Sequence, residues 1–374
     1  MHAAVFYGPG NIIVSHEASD YKKRAVKGRR GVILRVKACA VCGYDVRVYR
    51  NGHQKVTPPI ILGHEICGQI ERDIVVATDD DGGGKGRSHT IKSGTRVAVS
   101  PIIPCLNCIY CRYKQYNLCL NLKEIGSSIN GGFAEFLRIP EETLKVGGLV
   151  SVPDSMSDEE VALLEPLACC LNGLSHIGPV VRKNELNRVA IVGDGPIGLL
   201  HLQLMKRQGG AKTMVIGRIP QRIQKAKTMG ADATVLFATD KNHNDVKETM
   251  ENVLDFTGGI GFNLIIVATS NPAALNLATK IASKNSRINI FAGMPKSSDR
   301  SFSLDPNLLH YNQISITGSF SSTPNMLREA ARLTSNNEID LSKIISHRYP
   351  LRDINEAMLA TERYCGLRVI INKF

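Results

Sequence analysis

The sequence predicts an α/β protein of two domains, a β-rich N-terminal part and a doubly wound, parallel-sheet domain with the signature of a dinucleotide site. Three observations predict it. An apolar run, Val189-Ala190-Ile191-Val192, leads directly into Gly193-Asp194-Gly195-Pro196-Ile197-Gly198, then into a leucine-rich helix and a second apolar strand, Thr213-Met214-Val215-Ile216. Strand-like and helix-like stretches alternate beyond about residue 158. Before that point, from residue 3 to about 139, short apolar runs alternate with glycine and proline turns.

The elements follow in order. Gly31-Val32-Ile33-Leu34-Arg35-Val36 and Arg96-Val97-Ala98-Val99 read as strands of the β-rich part. Between them Asp79-Asp80-Asp81-Gly82-Gly83-Gly84-Lys85-Gly86 is a surface loop, because the spaced ligands and closing glutamate of a calcium loop are missing. Pro196 suits the first turn of a helix, where its missing N–H is no loss, and Gly209-Gly210 ends that helix. Phe262-Asn263-Leu264-Ile265-Ile266-Val267-Ala268 is a further buried strand, followed by a helix over 273–283 and a strand over 287–292. The tail carries a helix over 324–334 and a strand over 368–371.

The glycines have separate tasks. Gly193 permits a tight turn, Gly195 lets backbone approach a pyrophosphate, and Gly198 lets helix and strand pack closely. The second strand ends in Gly217-Arg218 where an NAD site usually places an acid for the ribose 2′-hydroxyl. With that acid missing, and with Arg218 and Arg222 able to grip a 2′-phosphate, NADP(H) is expected over NAD(H).

A length of 374 residues accommodates two cores, and 43% hydrophobic with 21% charged residues is ordinary for a soluble protein. The first residues, MHAAVFYGPGN, lack the charged-then-apolar pattern of a secretory signal, so the cytoplasm is expected. The net charge of +12 is partly local, since Lys22, Lys23, Arg24, Lys27, Arg29 and Arg30 crowd one stretch. Without interleaved aromatics that stretch reads as solvated surface, and neither nucleic acid nor membrane is an expected partner.

Ten cysteines that cluster point to metal in a reducing compartment. Cys105, Cys108, Cys111 and Cys119 give C-x2-C-x2-C-x7-C. Four thiolates at this density can close a tetrahedral zinc site, which is preferred over free thiols, a disulfide or an iron–sulfur cluster. Cys42, His64, Glu65 and Glu165 are dispersed, yet they supply the S, N and O donors of a catalytic zinc.

Cys42-Gly43-x-Asp45, Gly63-His64-Glu65, the four-cysteine lobe, Gly131-Gly132-Phe133-Ala134-Glu135 and Gly193-x-Gly195-x-x-Gly198 occur in this order. Together they resemble the zinc-dependent medium-chain dehydrogenases of the alcohol/polyol dehydrogenase family. Glu165-Pro166-Leu167 resembles the sorbitol and threonine dehydrogenase branch. The resemblance implies a GroES-like catalytic domain over 1–165, with a structural zinc lobe at about 104–120, completed by 321–374. A Rossmann domain over 166–320 is inserted between them. It also implies one structural and one catalytic zinc, the latter on Cys42, His64 and Glu165, with Glu65 a ligand in some members only. Ala268, Thr269, Ala292, Gly293 and Gly318 are expected near the nicotinamide, and a homodimer or homotetramer is expected.

The implied reaction is hydride transfer between NADP(H) and a secondary alcohol, meaning a polyol, sugar alcohol or sugar phosphate, interconverted with its ketone. An NADPH-dependent reductase of other carbonyls is the alternative, with a non-enzymatic nucleic-acid-binding or structural protein on the same fold behind it. Two positions depart from the family. Tyr44 replaces a serine or threonine that takes the substrate's proton, and Arg47 stands where histidine often passes it on. Tyr44 either relays the proton through its phenol or narrows the pocket while Glu65 or Glu165 moves it.

Overall fold

Along the strand Gly31–Val41 burial alternates, with Val32, Leu34 and Val36 inward, until Ala38, Cys39, Ala40 and Val41 are all buried. That change marks a strand that begins with one face covered and ends inside the core. The structure, a computed structural model, describes residues 1–15, 31–77, 88–179, 187–237, 243–294 and 304–374. The basic stretch Lys22 to Arg30 and the Asp79–Gly86 loop lie outside the described residues.

The described residues form two compact units. The first comprises Met1–Cys169 and Ser321–Phe374, the second Cys170–Phe320. Chain contacts therefore divide inside the helix Leu164–Ser175, slightly later than the 165/166 boundary expected from sequence, because that helix begins in the first unit and ends in the second.

In the first unit, a sheet runs in the order Leu149–Ser151, Arg96–Val99, Glu65–Ile70, Gly31–Val41, Arg368–Lys373, Ile345–Pro350. Phe136–Pro140 pairs with the other end of Gly31–Val41. The tail strand is thus built into the sheet, with Val369 opposite Val41 and Ile371 opposite Cys39. Beneath lies a core that includes Phe6, Leu34, Ile61, Ile66, Phe133 and Ile371.

The second unit is a parallel sheet in the order Ala233–Leu236, Lys212–Gly217, Arg188–Val192, Phe262–Val267, Ala282–Ile290, Ser315–Gly318. Each pair is parallel, and all but Phe262–Val267 with Ala282–Ile290 keep simple register, for example Ile191 opposite Val215 and Ile266. Two boundaries differ from the sequence expectation. The helix Pro272–Lys280 stops before 283, and the following strand starts at Ala282 instead of 287. Ala282 pairs with Phe262, then the register shifts before Arg287 pairs with Leu264, and Asn285 in between takes a φ of 58°. An irregularity of this kind hides a strand start from any period-2 reading. Among the described residues no helix is long and apolar enough to cross a membrane.

Candidate metal centres and cofactor site

The sheet of the first unit places three segments at one edge. Gly31–Val41 ends at Val41 and runs into Cys42. Its neighbour Glu65–Ile70 is antiparallel, so its first residue Glu65 stands opposite Ala40, with His64 just before it. On the other side the antiparallel tail strand begins at Arg368, beside Val41. Donor atoms of Cys42, His64 and Glu65 lie within 4.8 Å of one another.

Asp45 organises this set. It is fully buried in the first turn of the helix Gly43–Asn51, where an acid three residues after Cys42 reaches back to the helix start. Its Oδ2 accepts the Cys42 N–H at 2.9 Å, and its Oδ1 accepts the Gly63 N–H at 3.3 Å and lies 3.4 Å from His64 Nδ1. With Nδ1 beside Asp45, His64 would meet an ion through Nε2, the carboxylate–histidine arrangement that tunes a metal ligand. Burial works against protonating His64, but Asp45 and Cys42 outweigh it and hold its pKa well above the ordinary value. Gly63 itself has φ +93°, and a Cβ there would stand 2.8 Å from Cys39 Sγ, so only glycine delivers His64 to this edge. The Gly131-Gly132-Phe133 segment clamps the same turn, Gly132 N–H donating to Gly63 O at 2.9 Å and Phe133 N–H to Leu62 O at 3.1 Å.

Glu65 is fully buried, and neither carboxylate oxygen takes a geometrically sound hydrogen bond, although Arg368 Nη2 lies 2.8 Å from Oε1. A buried carboxylate with unused acceptor capacity, beside a thiol and an oriented imidazole, fits a divalent ion of zinc's ligand preferences. Arg368, also buried, donates to Val41 O at 3.3 Å. Sequence reading quoted Asp45 in the Cys42-Gly43-x-Asp45 motif without giving it a role in the site, and did not select Arg368 for the site. The capping spacing Cys42-x-x-Asp45 was a signal for Asp45; Arg368 had none.

Glu165 does not join the three. It sits in the first turn of the helix Leu164–Ser175 and accepts the Cys169 thiol at 3.3 Å, one helical turn along. Burial pushes its pKa up to about 7, with Glu65 adding to the rise and His64, Cys169 and Arg368 opposing it. It is thus electrostatically part of the centre while outside the tight donor set.

Tyr44 faces the imidazole edge of the centre, its ring 5.7 Å from that of His64 in a T-shaped arrangement. Its hydroxyl lies 3.3 Å from His53 Nδ1, and that nitrogen also receives the Lys55 N–H at 3.2 Å. Nδ1 is therefore the acceptor and Tyr44 the donor. Burial first, then Glu124, pushes the Tyr44 phenol up to about 12. Arg47 is exposed. His53 was not selected from sequence, since a lone histidine in a polar loop carries no spacing signal.

The four-cysteine lobe is closed on itself. Cys108 Sγ lies 3.5 Å from Cys111 Sγ and 3.9 Å from Cys119 Sγ, and all four sulfurs are within 4.8 Å. A tetrahedron of zinc–sulfur bonds of ~2.3 Å has edges of about 3.8 Å, so these spacings suit zinc; a disulfide needs about 2.05 Å. Leu106 takes φ 66° to turn the chain between the first two cysteines. Main-chain N–H groups of Asn107 and Cys108 bring Cys105 down to about 6, whereas burial lifts Cys111 to about 12.

In the second unit the glycine turn is as its sequence implies. A Cβ on Gly193 would meet Ala268 O at 2.8 Å, and one on Gly198 would meet Gly193 O at 1.9 Å. A Cβ on Gly195 would find only Arg222 Nη1, at 3.9 Å, so that flank is open to a ligand. Gly195 caps the helix Pro196–Gln208, whose first turn holds Pro196 and Ile197. Ala268 and Thr269 follow the strand Phe262–Val267, Ala292 and Gly293 follow Ala282–Ile290, and Gly318 closes Ser315–Gly318. Arg218 is exposed, but Arg222 is buried with its guanidinium beside the turn. A carboxylate does stand at the end of the second strand, contrary to the sequence expectation, and it comes from Asp194.

Residues 28–153 match the family described as alcohol dehydrogenase GroES-like domain, and residues 196–336 match zinc-binding dehydrogenase. The chain is 30% identical to an uncharacterised zinc-type alcohol dehydrogenase-like protein of Haemophilus influenzae, covering 90% of this chain and 88% of that protein. It is 29% identical to D-arabitol-phosphate dehydrogenase of Enterococcus avium over 87% of this chain and 85% of the relative. A crystal structure of a zinc-binding dehydrogenase from Sinorhizobium meliloti 1021 bound to NADP superposes with a TM-score of 0.80 at 25% identity, over 99% of this chain and 98% of that one.

Proposed function

Because the chain belongs to the zinc-type medium-chain dehydrogenases and is an oxidoreductase of the alcohol/polyol type, we propose that it interconverts a secondary alcohol and its ketone with NADP(H). The alcohol is a polyol, sugar alcohol or sugar phosphate, a class to which the D-arabitol-phosphate dehydrogenase likeness lends support. The observation that carries the reading is the convergence of Cys42, His64 and Glu65 within 4.8 Å at one sheet edge.

Zinc held by Cys42, His64 and Glu65 or Glu165 would polarise the substrate oxygen, and the nicotinamide would exchange the hydride. The protein's part is to hold and move the proton. Asp45, by accepting from Nδ1–H, would keep Nε2 of the neutral imidazole for the ion. Arg368 offsets the buried Glu65 charge, and removing one partner of such a pair costs about 3–5 kcal/mol. Tyr44 stays protonated at neutral pH and hands its hydroxyl proton toward His53 Nδ1 as it receives one from the substrate, so the relay leaves the buried centre through His53. The lobe of Cys105, Cys108, Cys111 and Cys119 would hold a second, structural zinc. The same reading makes the protein a cytoplasmic homo-oligomer, dimeric or tetrameric, acting on a small molecule without nucleic-acid or membrane partners.

The test is NADP+ and NAD+ reduction over a panel of polyols, sugar phosphates and simple alcohols, with and without a chelator. Chelator-sensitive turnover of one polyol class, faster with NADP+, is expected. Tyr44→Phe and His53→Gln should each lower kcat about a hundredfold with a smaller change in KM. Full turnover in Tyr44→Phe would remove the phenol from the relay.

A further inference from the structure

Asp194 occupies the second position of the glycine turn, and its side chain crosses to the end of the neighbouring strand Lys212–Gly217. Its Oδ2 accepts the Arg218 N–H at 2.8 Å and the Ile219 N–H at 2.7 Å. The side chain is 8% exposed. A Cβ on Gly217 would lie 2.3 Å from Asp194 Cβ and 2.5 Å from its Oδ2, so any side chain at 217 is incompatible with Asp194 as placed. The carboxylate at the strand end thus comes from the turn, while the strand end itself carries glycine. An NAD site usually carries its acid at the strand end.

That placement alters what the carboxylate can do. Rooted in the turn, it serves the two main-chain donors that open the helix Pro220–Thr228, whose N-cap Ile219 has no capping side chain of its own. That strut holds the Gly217–Ile219 backbone, from which Arg218 projects outward and Arg222 is buried with Nη1 toward Gly195. The cations beside this turn are then Arg218 and Arg222, and the Asp194 carboxylate is tied to backbone.

We propose that Asp194 is a cofactor-selectivity residue: as a backbone strut in the place of a ribose-binding acid, it makes the site select a 2′-phosphate over a 2′-hydroxyl. The inference rests on the NADP(H) reading above and names the residue that enforces it. Asp194 positions and does not itself contact the cofactor.

Binding of NADPH and NADH, followed by nicotinamide fluorescence on the purified full-length chain, tests this without turnover. Wild type should favour NADPH at least tenfold. Asp194→Asn retains an acceptor oxygen for the two N–H groups and should keep that preference. The exchange variant Asp194→Ala/Gly217→Asp frees the space and returns an acid to the strand end, and it should shift the NADPH-to-NADH ratio by on the order of a hundredfold toward NADH. Gly217→Asp alone should fold poorly, because its side chain meets Asp194, and recovery of the thermal midpoint in the double variant reports the exchange independently of ligand. A wild-type NADPH preference that the double variant leaves unchanged overturns the role of Asp194 while the NADP(H) reading stands. A wild-type preference for NADH overturns both. Loss of affinity in Asp194→Asn alone would show the carboxylate touching the cofactor and overturn the strut.

Discussion

The two cysteine-bearing centres of the first unit are built in opposite ways. The lobe draws four identical donors from residues 105–119, closes around them and has little core of its own beyond Ile102, Tyr116 and Val146. The second centre draws unlike donors from Cys42, His64 and Glu65, sets them at the edge of a large sheet and supports each with buried partners. A closed all-thiolate set suits a metal that only holds the fold together. An asymmetric set with Glu165 and Tyr44 alongside leaves room for a substrate.

The largest effect expected from that contrast is its separation by mutation. Cys42→Ser should lower turnover by about a thousandfold and lose one of the two proposed ions, with the thermal midpoint nearly unchanged. Cys105→Ser should do the reverse, keeping most turnover per folded chain while the midpoint falls on the order of 10 °C. Metal analysis beside melting curves checks both, and loss of turnover with unchanged melting in Cys105→Ser would break the contrast.

A smaller effect probes the supports. Asp45→Asn removes the charge that orients His64 while leaving an oxygen for the Cys42 N–H, and it should weaken zinc binding at this centre about 10–100-fold, leaving the lobe untouched. Competitive zinc titration against a chelator measures it.

The smallest effect uses two histidines, the half-buried His64 and the buried His201. His64 is held by a carboxylate, whereas His201 packs its ring 5.0 Å from Phe291 with no hydrogen-bond partner for either nitrogen. Burial alone lowers His201 to about 3. The unfolded chain then binds a proton below about pH 6.5 that the folded chain refuses, so stability falls as pH drops from 6.5 toward 3. At pH 5.5 the loss is about 1.4 kcal/mol relative to pH 7.5. Denaturation of wild type and His201→Leu at both pH values should show that part of the pH dependence disappearing in the variant.

Legibility in the sequence followed the distance over which each feature is encoded. The glycine turn was legible because strand, turn and helix are consecutive, and Gly193 and Gly198 sit where backbone contacts demand them. The early start of the strand at Ala282 was not, since Asn285 breaks the alternation on which a strand is recognised. His53 was not legible either. Its place beside Tyr44 depends on how the loop after the helix Gly43–Asn51 folds back.

By itself the sequence determined the class of fold, the four-sulfur lobe and the glycine turn, each specified within a short run whose local geometry leaves few alternatives. Tertiary structure alone decided which acids do what. Antiparallel pairing of Gly31–Val41 with Glu65–Ile70 and with Arg368–Lys373 brings Cys42, Glu65 and Arg368 to one edge. Parallel pairing of Arg188–Val192 with Lys212–Gly217 puts Asp194 against Gly217. A carboxylate's task is set by the donors that surround it, and those donors come from strands far apart in the chain.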